Sequence, residues 1–367
     1  MTTHTSRRAA ARRTALAVTA LTFVTAHLAI APQTAYAADP AGCTRSGSHI
    51  TCTNGVPKGQ TLTGTSGNDT IEITGTVAGT VDGGDGDDVI VIRGRNGAPG
   101  ATWQHGGKGE SAVQGGRVLG GAGNDIITII GGSGGTGGEG IYKGGVGAAA
   151  GDGGDGGNGM WGGYVDGGSG VNIITVQGGN GGNGGSAKSE LEPGHAGIGG
   201  GGMAGGQMVV GKDKHSSLDV HGGNGGAGGS NTSGLRGGDG SGNYGVEYGA
   251  RIEGGSSPDG VTISITGGNG GTGSKGGHGG AGMVRSKVTG TPGDDEITAQ
   301  GGKGKEGTGA GLGGSGDIDA KEGNDTVTVY KNAGGDVVCG DGNDTYKWAR
   351  QRGLYDRKSC EHVQQIR

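Results

Sequence analysis

Aromatic residues are scarce in this chain. They make up 3% of its 367 residues, with a single phenylalanine and three tryptophans. Such a composition excludes an ordinary globular core built from large rings. Proline is also rare, with 7 residues, and this excludes collagen, although glycine is abundant.

Long apolar runs are missing except for one near the N-terminus. A basic stretch that contains Arg7 and Arg13 precedes an apolar run over residues 15–30, and Ala35-Tyr36-Ala37 follows it. This order is typical of a cleavable export signal, which we predict over residues 1–37. We therefore expect a secreted, extracellular or cell-wall-associated product with no membrane span after cleavage. The general secretory and twin-arginine routes both stay open.

Basic residues do not dominate the chain. Lysine and arginine total 29 against 34 acidic residues, and the formal net charge is −5 at pH 7. The four arginines before the apolar run would leave with the signal, so the remainder is more acidic still. An acidic surface is a poor partner for nucleic acid and for anionic membranes, and we expect neither.

Cysteine is limited to four residues, which fall into two local pairs. Cys43 and Cys52 lie near the start of the mature chain, and Cys339 and Cys360 lie near its end. An even number in an exported protein favours disulfides, with free thiols as the alternative. We predict an N-terminal cap over residues 38–61 and a C-terminal cap over residues 346–367, each associated with one pair.

Catalytic patterns are also lacking. The segment Gly131-Gly132-Ser133-Gly134-Gly135 has the letters of a nucleophile elbow, but it lies in a glycine tract without the required strand, turn and helix. The histidines form no metal-ligand pattern such as H-E-x-x-H. We therefore predict that the protein is not an enzyme.

What the chain does contain is 101 glycines and a recurring nine-residue word. Its clearest copies are Gly83-Gly84-Asp85-Gly86-Asp87-Asp88-Val89-Ile90-Val91 and Gly120-Gly121-Ala122-Gly123-Asn124-Asp125-Ile126-Ile127-Thr128. The first six residues suit a tight turn, since glycine permits positive φ. The last three alternate as in a short strand.

This word resembles the G-G-x-G-x-D-x-U-x repeat of RTX, or hemolysin-type, calcium-binding proteins, which form parallel β-rolls. The resemblance covers residues 62–345 and implies Ca²⁺ as the ligand. It implies side-chain ligands at the sixth position of the word, with turn carbonyls completing each site. The implied side-chain ligands are Asp69, Asp88, Asp125, Asp295, Asp325 and Asp344, with Asn172 as a neutral substitute; the implied carbonyls belong to Gly83, Asp85, Gly120 and Ala122.

A longer period appears when the copies are aligned on the residue before each strand. That residue is Asp69, Asp88, Asp125, Asn172, Ser216, Val261, Asp295, Asp325 and Asp344 in turn. The spacing is 19 at both ends and reaches 47 in the middle. We predict an all-β fold, a parallel β-roll or β-solenoid of about nine coils. We expect the strongest calcium sites at its ends and a break where Ser216 and Val261 replace the carboxylate.

Apolar residues alternate in each unit and predict which side chains form the core of a coil. Each unit begins with an apolar pair, such as Ile90 and Ile92, and most units then have a second apolar step, such as Val81 or Val338. Period two places each pair on one face of a strand. Stacked coils would share one narrow core that a single coil could not form.

Glycine tracts of period three fill the central units. An example is Gly178-Gly179-Asn180-Gly181-Gly182-Asn183. This period suits an extended polyglycine II-like helix, which needs neighbours as hydrogen-bond partners. The tracts weakly resemble those of PGRS-type surface proteins, and disordered loops are the alternative.

Several functions remain open on the sequence. The first is a secreted calcium-binding repeat protein with a structural or adhesive role at the cell surface. The second is a metal-independent glycine-rich matrix or interaction protein, whose partners would be extracellular polysaccharide or other surface proteins. A more distant alternative is a protein that binds ice or polysaccharide through rows such as Thr262, Ser264 and Thr266, or one that modifies polysaccharide.

Overall fold

The structure, a computed structural model, describes residues 38–143, 146–188, 190–273, 275–349 and 357–366. The predicted signal peptide lies outside the described residues. The described chain is all-β, with no helix in any of these ranges, and its long parallel sheets are consistent with a β-solenoid. No described segment forms a helix able to cross a membrane.

Most strands belong to three sheets, which the chain visits in a repeating order. From Val89–Arg93 in a twelve-stranded sheet it passes to Val113–Gln114 in a seven-stranded sheet. It continues through Arg117–Ala122 in a ten-stranded sheet and returns to the first sheet at Ile126–Ile130. Within each sheet the order of strands follows the order in the chain.

The twelve-stranded sheet is parallel throughout, except that its first two strands pair antiparallel. Its strands are Cys43–Ser46, His49–Cys52, Thr70–Thr74, Val89–Arg93, Ile126–Ile130, Ile173–Gln177, Ser216–His221, Val261–Thr266, Glu296–Gln300, Thr326–Tyr330, Thr345–Ala349 and His362–Gln365.

The two smaller sheets are parallel. The ten strands of the first are Thr61–Thr63, Thr80–Asp85, Arg117–Ala122, Tyr164–Asp166, Gln207–Gly211, Arg251–Gly255, Lys287–Thr289, Asp317–Asp319, Val337–Val338 and Arg357–Lys358. The seven of the second are Val113–Gln114, Met160–Trp161, Met203–Ala204, Val246–Glu247, Met283–Val284, Leu312–Gly313 and Asn332–Ala333. Tyr142–Lys143 and Val146–Gly147 form a separate antiparallel pair.

One narrow core runs inside the three sheets. The alternating pairs of the long strands, such as Ile90 with Ile92, are fully buried, and they meet valines and methionines from the other two sheets, such as Val118 and Met160. The predicted inward face is confirmed for these strands. One position is wrong: Val337 rather than Val338 points inward, because period two sets Val337 on the same face as buried Cys339.

Two disulfides, Cys43–Cys52 and Cys339–Cys360, confirm the predicted pairing. The first joins residues that face each other across the antiparallel strands, with their Cα atoms 4.0 Å apart. In the second disulfide, Cys339 directly follows the strand Val337–Val338, and Cys360 lies between the last two strands, Arg357–Lys358 and His362–Gln365. Their Cα atoms are 5.2 Å apart. Disulfides favour an oxidising environment such as the extracellular space.

Between the twelve- and seven-stranded sheets, the chain leaves the core as glycine tracts. Outgoing tracts follow the twelve-stranded sheet, and returning tracts precede the seven-stranded sheet. The outgoing tracts cover residues 94–101, 131–140, 178–187, 222–230, 267–273 and 301–304, and the returning tracts cover 104–112, 150–159, 194–202, 237–245, 277–282 and 307–311.

Candidate metal centre

The candidate site lies at the corner where the chain passes from the ten-stranded sheet to the twelve-stranded sheet. The nine-residue word forms this corner, and its glycines adopt positive φ, for example 102° at Gly84 and 110° at Gly86. The residue before each long strand then turns its side chain inward. These side chains are almost fully buried, with 0–2% exposure for Asp69, Asp88, Asp125, Asn172, Ser216, Asp295, Asp325 and Asp344.

We call these eight residues the aspartate ladder because, from Asp88 onward, each side chain accepts a hydrogen bond from a backbone N–H of the preceding coil. The N–H of Asp69 donates to Oδ1 of Asp88 at 2.8 Å, and the N–H of Asp88 donates to Oδ1 of Asp125 at 2.9 Å. At the other end, the N–H of Asp325 donates to Oδ1 of Asp344 at 2.8 Å. Adjacent ladder carboxylates therefore stack in register, as the spacing of 19 residues predicts.

The ladder continues into the centre with neutral members. The N–H of Asp125 donates to Oδ1 of Asn172 at 3.0 Å, and the N–H of Asn172 donates to the Ser216 hydroxyl at 2.9 Å. Val261, which follows, has no side-chain acceptor, although its own N–H donates to Asp295 Oδ1. The expected loss of carboxylate is thus accompanied by a hydrogen-bonded path that reaches Ser216 and is interrupted at Val261.

The second carboxylate oxygen distinguishes the charged members. Among the described residues, buried Oδ2 of Asp88, Asp125, Asp325 and Asp344 accepts no hydrogen bond. Asp295 differs, since its Oδ2 accepts the Thr291 N–H at 2.7 Å. In Asp69 the roles are exchanged: Oδ2 accepts from Thr65, and Oδ1 is the oxygen without a bond. A buried oxygen without a partner is costly, so each of these atoms calls for a proton, a water molecule or a cation.

Backbone carbonyls of the next coil lie beside the Oδ2 atoms of several ladder aspartates. A Cβ on Gly83 would collide with both Asp88 Oδ2 and the carbonyl oxygen of Gly120. One coil earlier, a Cβ on Gly64 would meet Asp69 Oδ2 at 2.7 Å and collide with the Gly83 carbonyl. The turn needs glycine here for space, and the cradle that results holds a carboxylate and a carbonyl oxygen together.

The turn carbonyls predicted from the resemblance fall into two groups. Those of Gly83 and Gly120 lie in the cradles, whereas the Ala122 carbonyl accepts the Gly86 N–H at 2.7 Å as part of the extended sheet. The side chain of Asp85 is exposed. Sequence reasoning missed Gly167 and Ala320, whose carbonyls sit beside Asp125 Oδ2 and Asp295 Oδ2 in the same way. The sequence could have identified both residues, because each occupies the equivalent turn position one coil after the carboxylate.

Burial changes the acidity of the ladder. Desolvation raises the pKa of Asp88 to about 6 and that of Asp325 to about 7, and neighbouring carboxylates add to the shift. Burial also raises the pKa of Asp125, Asp295 and Asp344. These directions mean that, without a cation, the folded chain keeps these carboxyl groups protonated to a higher pH than free aspartate.

No described group of three or more His, Cys, Asp or Glu side chains is arranged to hold a metal. Each ladder cradle therefore offers one or two carboxylates, and backbone carbonyls and water would supply the rest. That mixture is the oxygen-rich ligand set preferred by Ca²⁺.

The Thr262, Ser264 and Thr266 row lies on the outer face of the twelve-stranded sheet, where all three are half-buried. It belongs to columns that include Thr128, Thr175 and Thr298 in neighbouring strands. Asp219 interrupts the column that contains Ser264. The row is therefore separate from the aspartate ladder.

No protein-family model, curated protein or solved structure shows significant similarity to this chain.

Proposed function

We propose that this protein is a secreted calcium-binding repeat protein of the RTX type, with a structural or adhesive role at the cell surface. Calcium would stabilise a parallel solenoid of about nine coils. The observation that supports it is a buried Oδ2 that accepts no hydrogen bond from a described residue and lies beside a carbonyl oxygen of the next coil, as at Asp88 and Asp125. Ca²⁺ would supply positive charge there and keep the carboxylates ionised.

The ladder fits such a role at its ends better than in its centre. Asp69 and Asp88 would share an ion, as would Asp325 and Asp344, because each pair is stacked and hydrogen-bonded across one coil. The series of calcium sites would end at Asn172. Its Nδ2 donates to the Gly168 carbonyl at 3.3 Å, so an amide N–H occupies the place where a cation would lie.

The glycine tracts would form two layers of polyglycine II-like helices that stiffen the centre. In the outgoing layer, the Gly181 N–H donates to the Asn224 carbonyl of the next tract at 2.8 Å. The Gly182 N–H donates instead to the Gly154 carbonyl of the returning layer at 2.8 Å. The third N–H of each turn is also used, since the Asn224 N–H donates to Oδ1 of Asn180 at 3.0 Å.

This pattern accounts for the recurring asparagine. Every third residue projects its side chain along the layer, where an amide oxygen can accept the N–H of the equivalent residue in the next tract. The bonds from Asn269 to Asn224 Oδ1 and from Lys303 to Asn269 Oδ1 continue the series at 2.8 and 2.7 Å. The backbone donors that an isolated polyglycine helix would expose are thus paired.

A calcium titration of the metal-stripped protein tests the proposal. We expect calcium at millimolar concentration to raise the melting temperature followed by circular dichroism. Calorimetric stoichiometry should fall by about one ion in Asp88→Asn and in Asp325→Asn, because each variant keeps the Oδ1 acceptor but loses an anionic ligand. Asp336→Asn is the matched control, since Asp336 is exposed and lies outside the ladder.

The second candidate is the metal-independent matrix or interaction protein. The neutral members Asn172 and Ser216 favour it, since they show that the corner forms without charge. In that case the ladder aspartates would serve only as hydrogen-bond acceptors for the neighbouring coil. Melting temperature and stoichiometry that ignore calcium at pH 7.5 would refute the calcium proposal and favour this alternative.

A further inference from the structure

The corner between the seven- and ten-stranded sheets contains an unusual substitution. In successive coils, the first residue of this corner is Gly115, Gly162, Gly205, Tyr248, Arg285 and Gly314. All six adopt positive φ, with 57° at Tyr248 and 47° at Arg285. Glycine accepts this conformation without strain, whereas other residues lose about 1–2 kcal/mol in the left-handed region.

Nothing in the packing of the corner requires a side chain there. A Cβ on Gly115 or Gly162 would meet no atom within 4 Å, so a side chain at this position projects into solvent. Tyr248 is accordingly 58% exposed. The chain therefore keeps two large side chains at a strained position where they add no core contact, and strain of this kind concentrates at functional sites.

A third exposed side chain completes the patch. Trp161, at the end of a strand in the seven-stranded sheet, is 51% exposed, and its ring centroid lies 6.2 Å from that of Tyr248, with the planes inclined by 50°. Ala204 lies in register between Trp161 and Glu247, the residue before Tyr248, so a small side chain separates the two coils that carry the rings. The Arg285 guanidinium carbon lies 5.6 Å from the Tyr248 ring centroid.

The residue before Tyr248 is a buried acid that lies within the electrostatic influence of Arg285. Glu247 is only 4% exposed, and within the described chain its carboxylate accepts no hydrogen bond and forms no ion pair. It precedes Tyr248 in the chain and belongs to the same register row as Trp161. Burial raises the pKa of Glu247 to about 7, and the charge of Arg285 opposes that shift. Its carboxylate oxygens therefore keep their acceptor capacity for a ligand hydroxyl group.

We propose that Trp161, Tyr248, Arg285 and Glu247 form a binding site for a sugar unit of an extracellular polysaccharide. Pyranose rings have apolar C–H faces that stack on indole and phenol rings, and hydroxyl groups that pair with carboxyl and guanidinium groups. The patch combines both features within a few side chains. A protein interface would need about 800 Å² on each partner and a wider apolar centre.

Oligosaccharide titrations of the intact secreted protein test this site. The probes are chitohexaose, cellohexaose and an oligogalacturonate, each measured by calorimetry and by tryptophan fluorescence. We expect at least one to bind, and Trp161→Ala to lower its affinity by about tenfold or more. Trp103→Ala is the matched control, because Trp103 is also exposed, at 39%, but lies on a glycine hairpin.

Tyr248→Gly gives the sharper result because it introduces the residue that most other coils have at this position. We expect this variant to lose binding by about tenfold while its melting temperature stays equal or rises, since the strained backbone is relieved. A merely structural Tyr248 would instead lower the melting temperature. Failure of all three sugars to bind, or equal affinity of the Trp161 and Trp103 variants, would overturn the proposal. Neither outcome depends on calcium.

Discussion

The terminal and central coils form the same corner with different side chains. At the ends, carboxylates stack 19 residues apart, as in Asp69 with Asp88 and Asp325 with Asp344. In the centre, the same backbone position carries Asn172, Ser216 and then Val261. The corner therefore requires neither a charge nor a particular side chain. The carboxylates at the ends have a cost that an amide would avoid, which suggests a use for their charge.

The central coils have a different source of order. Their glycine tracts place backbone against backbone, so a tract is held by hydrogen bonds on two sides rather than by apolar contact. The terminal coils lack tracts of comparable length and are joined to disulfide-bonded ends. We therefore expect the stability of the terminal coils to depend on pH and calcium. The stability of the central coils should depend instead on the absence of side chains from the glycine tracts.

The largest expected effect is the pH dependence of the calcium-free protein. A buried acid whose pKa is raised on folding stabilises the folded state below its unfolded pKa, and this contribution is lost as pH rises through the folded pKa. For Asp88 and Asp325 the window runs from about pH 4 to about 6 and 7, respectively. Across its window, Asp88 would contribute about 3 kcal/mol and Asp325 about 4 kcal/mol.

Urea unfolding of the metal-stripped protein between pH 4.5 and pH 7.5 measures this loss. Asp325→Asn should flatten the profile, and Asp336→Asn should leave it unchanged. Saturating calcium should reverse the trend, since binding requires the ionised form. A metal-free stability that rises steadily over this window would contradict the assignment of the buried acids.

The next effect concerns the centre. Gly182→Ala would place a Cβ against the carbonyl oxygen of Gly135 in the neighbouring tract. Two tracts would have to separate, and we expect a loss of about 2 kcal/mol. Gly67→Ala is the control, because its Cβ would meet only Thr65 Oγ1, at 3.9 Å. Equal melting temperatures for the two variants would show that the tracts are not closely packed.

The periodic features of this fold could be predicted from the sequence, whereas the contacts between residues of different coils could not. Period two identified the inward faces of Ile90 and Ile92, and compartment and spacing identified both disulfides. The bond from the Asp88 N–H to Asp125 Oδ1 joins residues 37 positions apart, so no local pattern reveals it. The cluster of Trp161 and Tyr248 likewise depends on register across two coils.

A carboxylate introduced in a central coil should make the stability of that coil depend on pH and calcium, as we expect for the terminal coils. Asn172→Asp keeps the Oδ1 acceptor of the Asp125 N–H but removes the Nδ2 bond to the Gly168 carbonyl. We expect the metal-free variant to lose about 1.5 kcal/mol at pH 7.5 and less at pH 5. Calcium should recover the loss if the new carboxylate completes a site. Asn172→Ser, which resembles the native residue of the next coil, should show no calcium response.

The smallest effect separates the asparagine side chains from the glycine backbone. Asn180→Ala would remove the Oδ1 that accepts the Asn224 N–H at 3.0 Å, while leaving the glycines of both tracts in place. Because this bond is exposed, water can replace the lost acceptor, and we expect a loss of about 1 kcal/mol or less. Thr272→Ala, at an exposed position of the same kind in a later tract, is the control. Hydrogen exchange at Asn224 should quicken in the Asn180 variant alone. If it does not, the recurring asparagine reflects composition rather than a third hydrogen bond per turn.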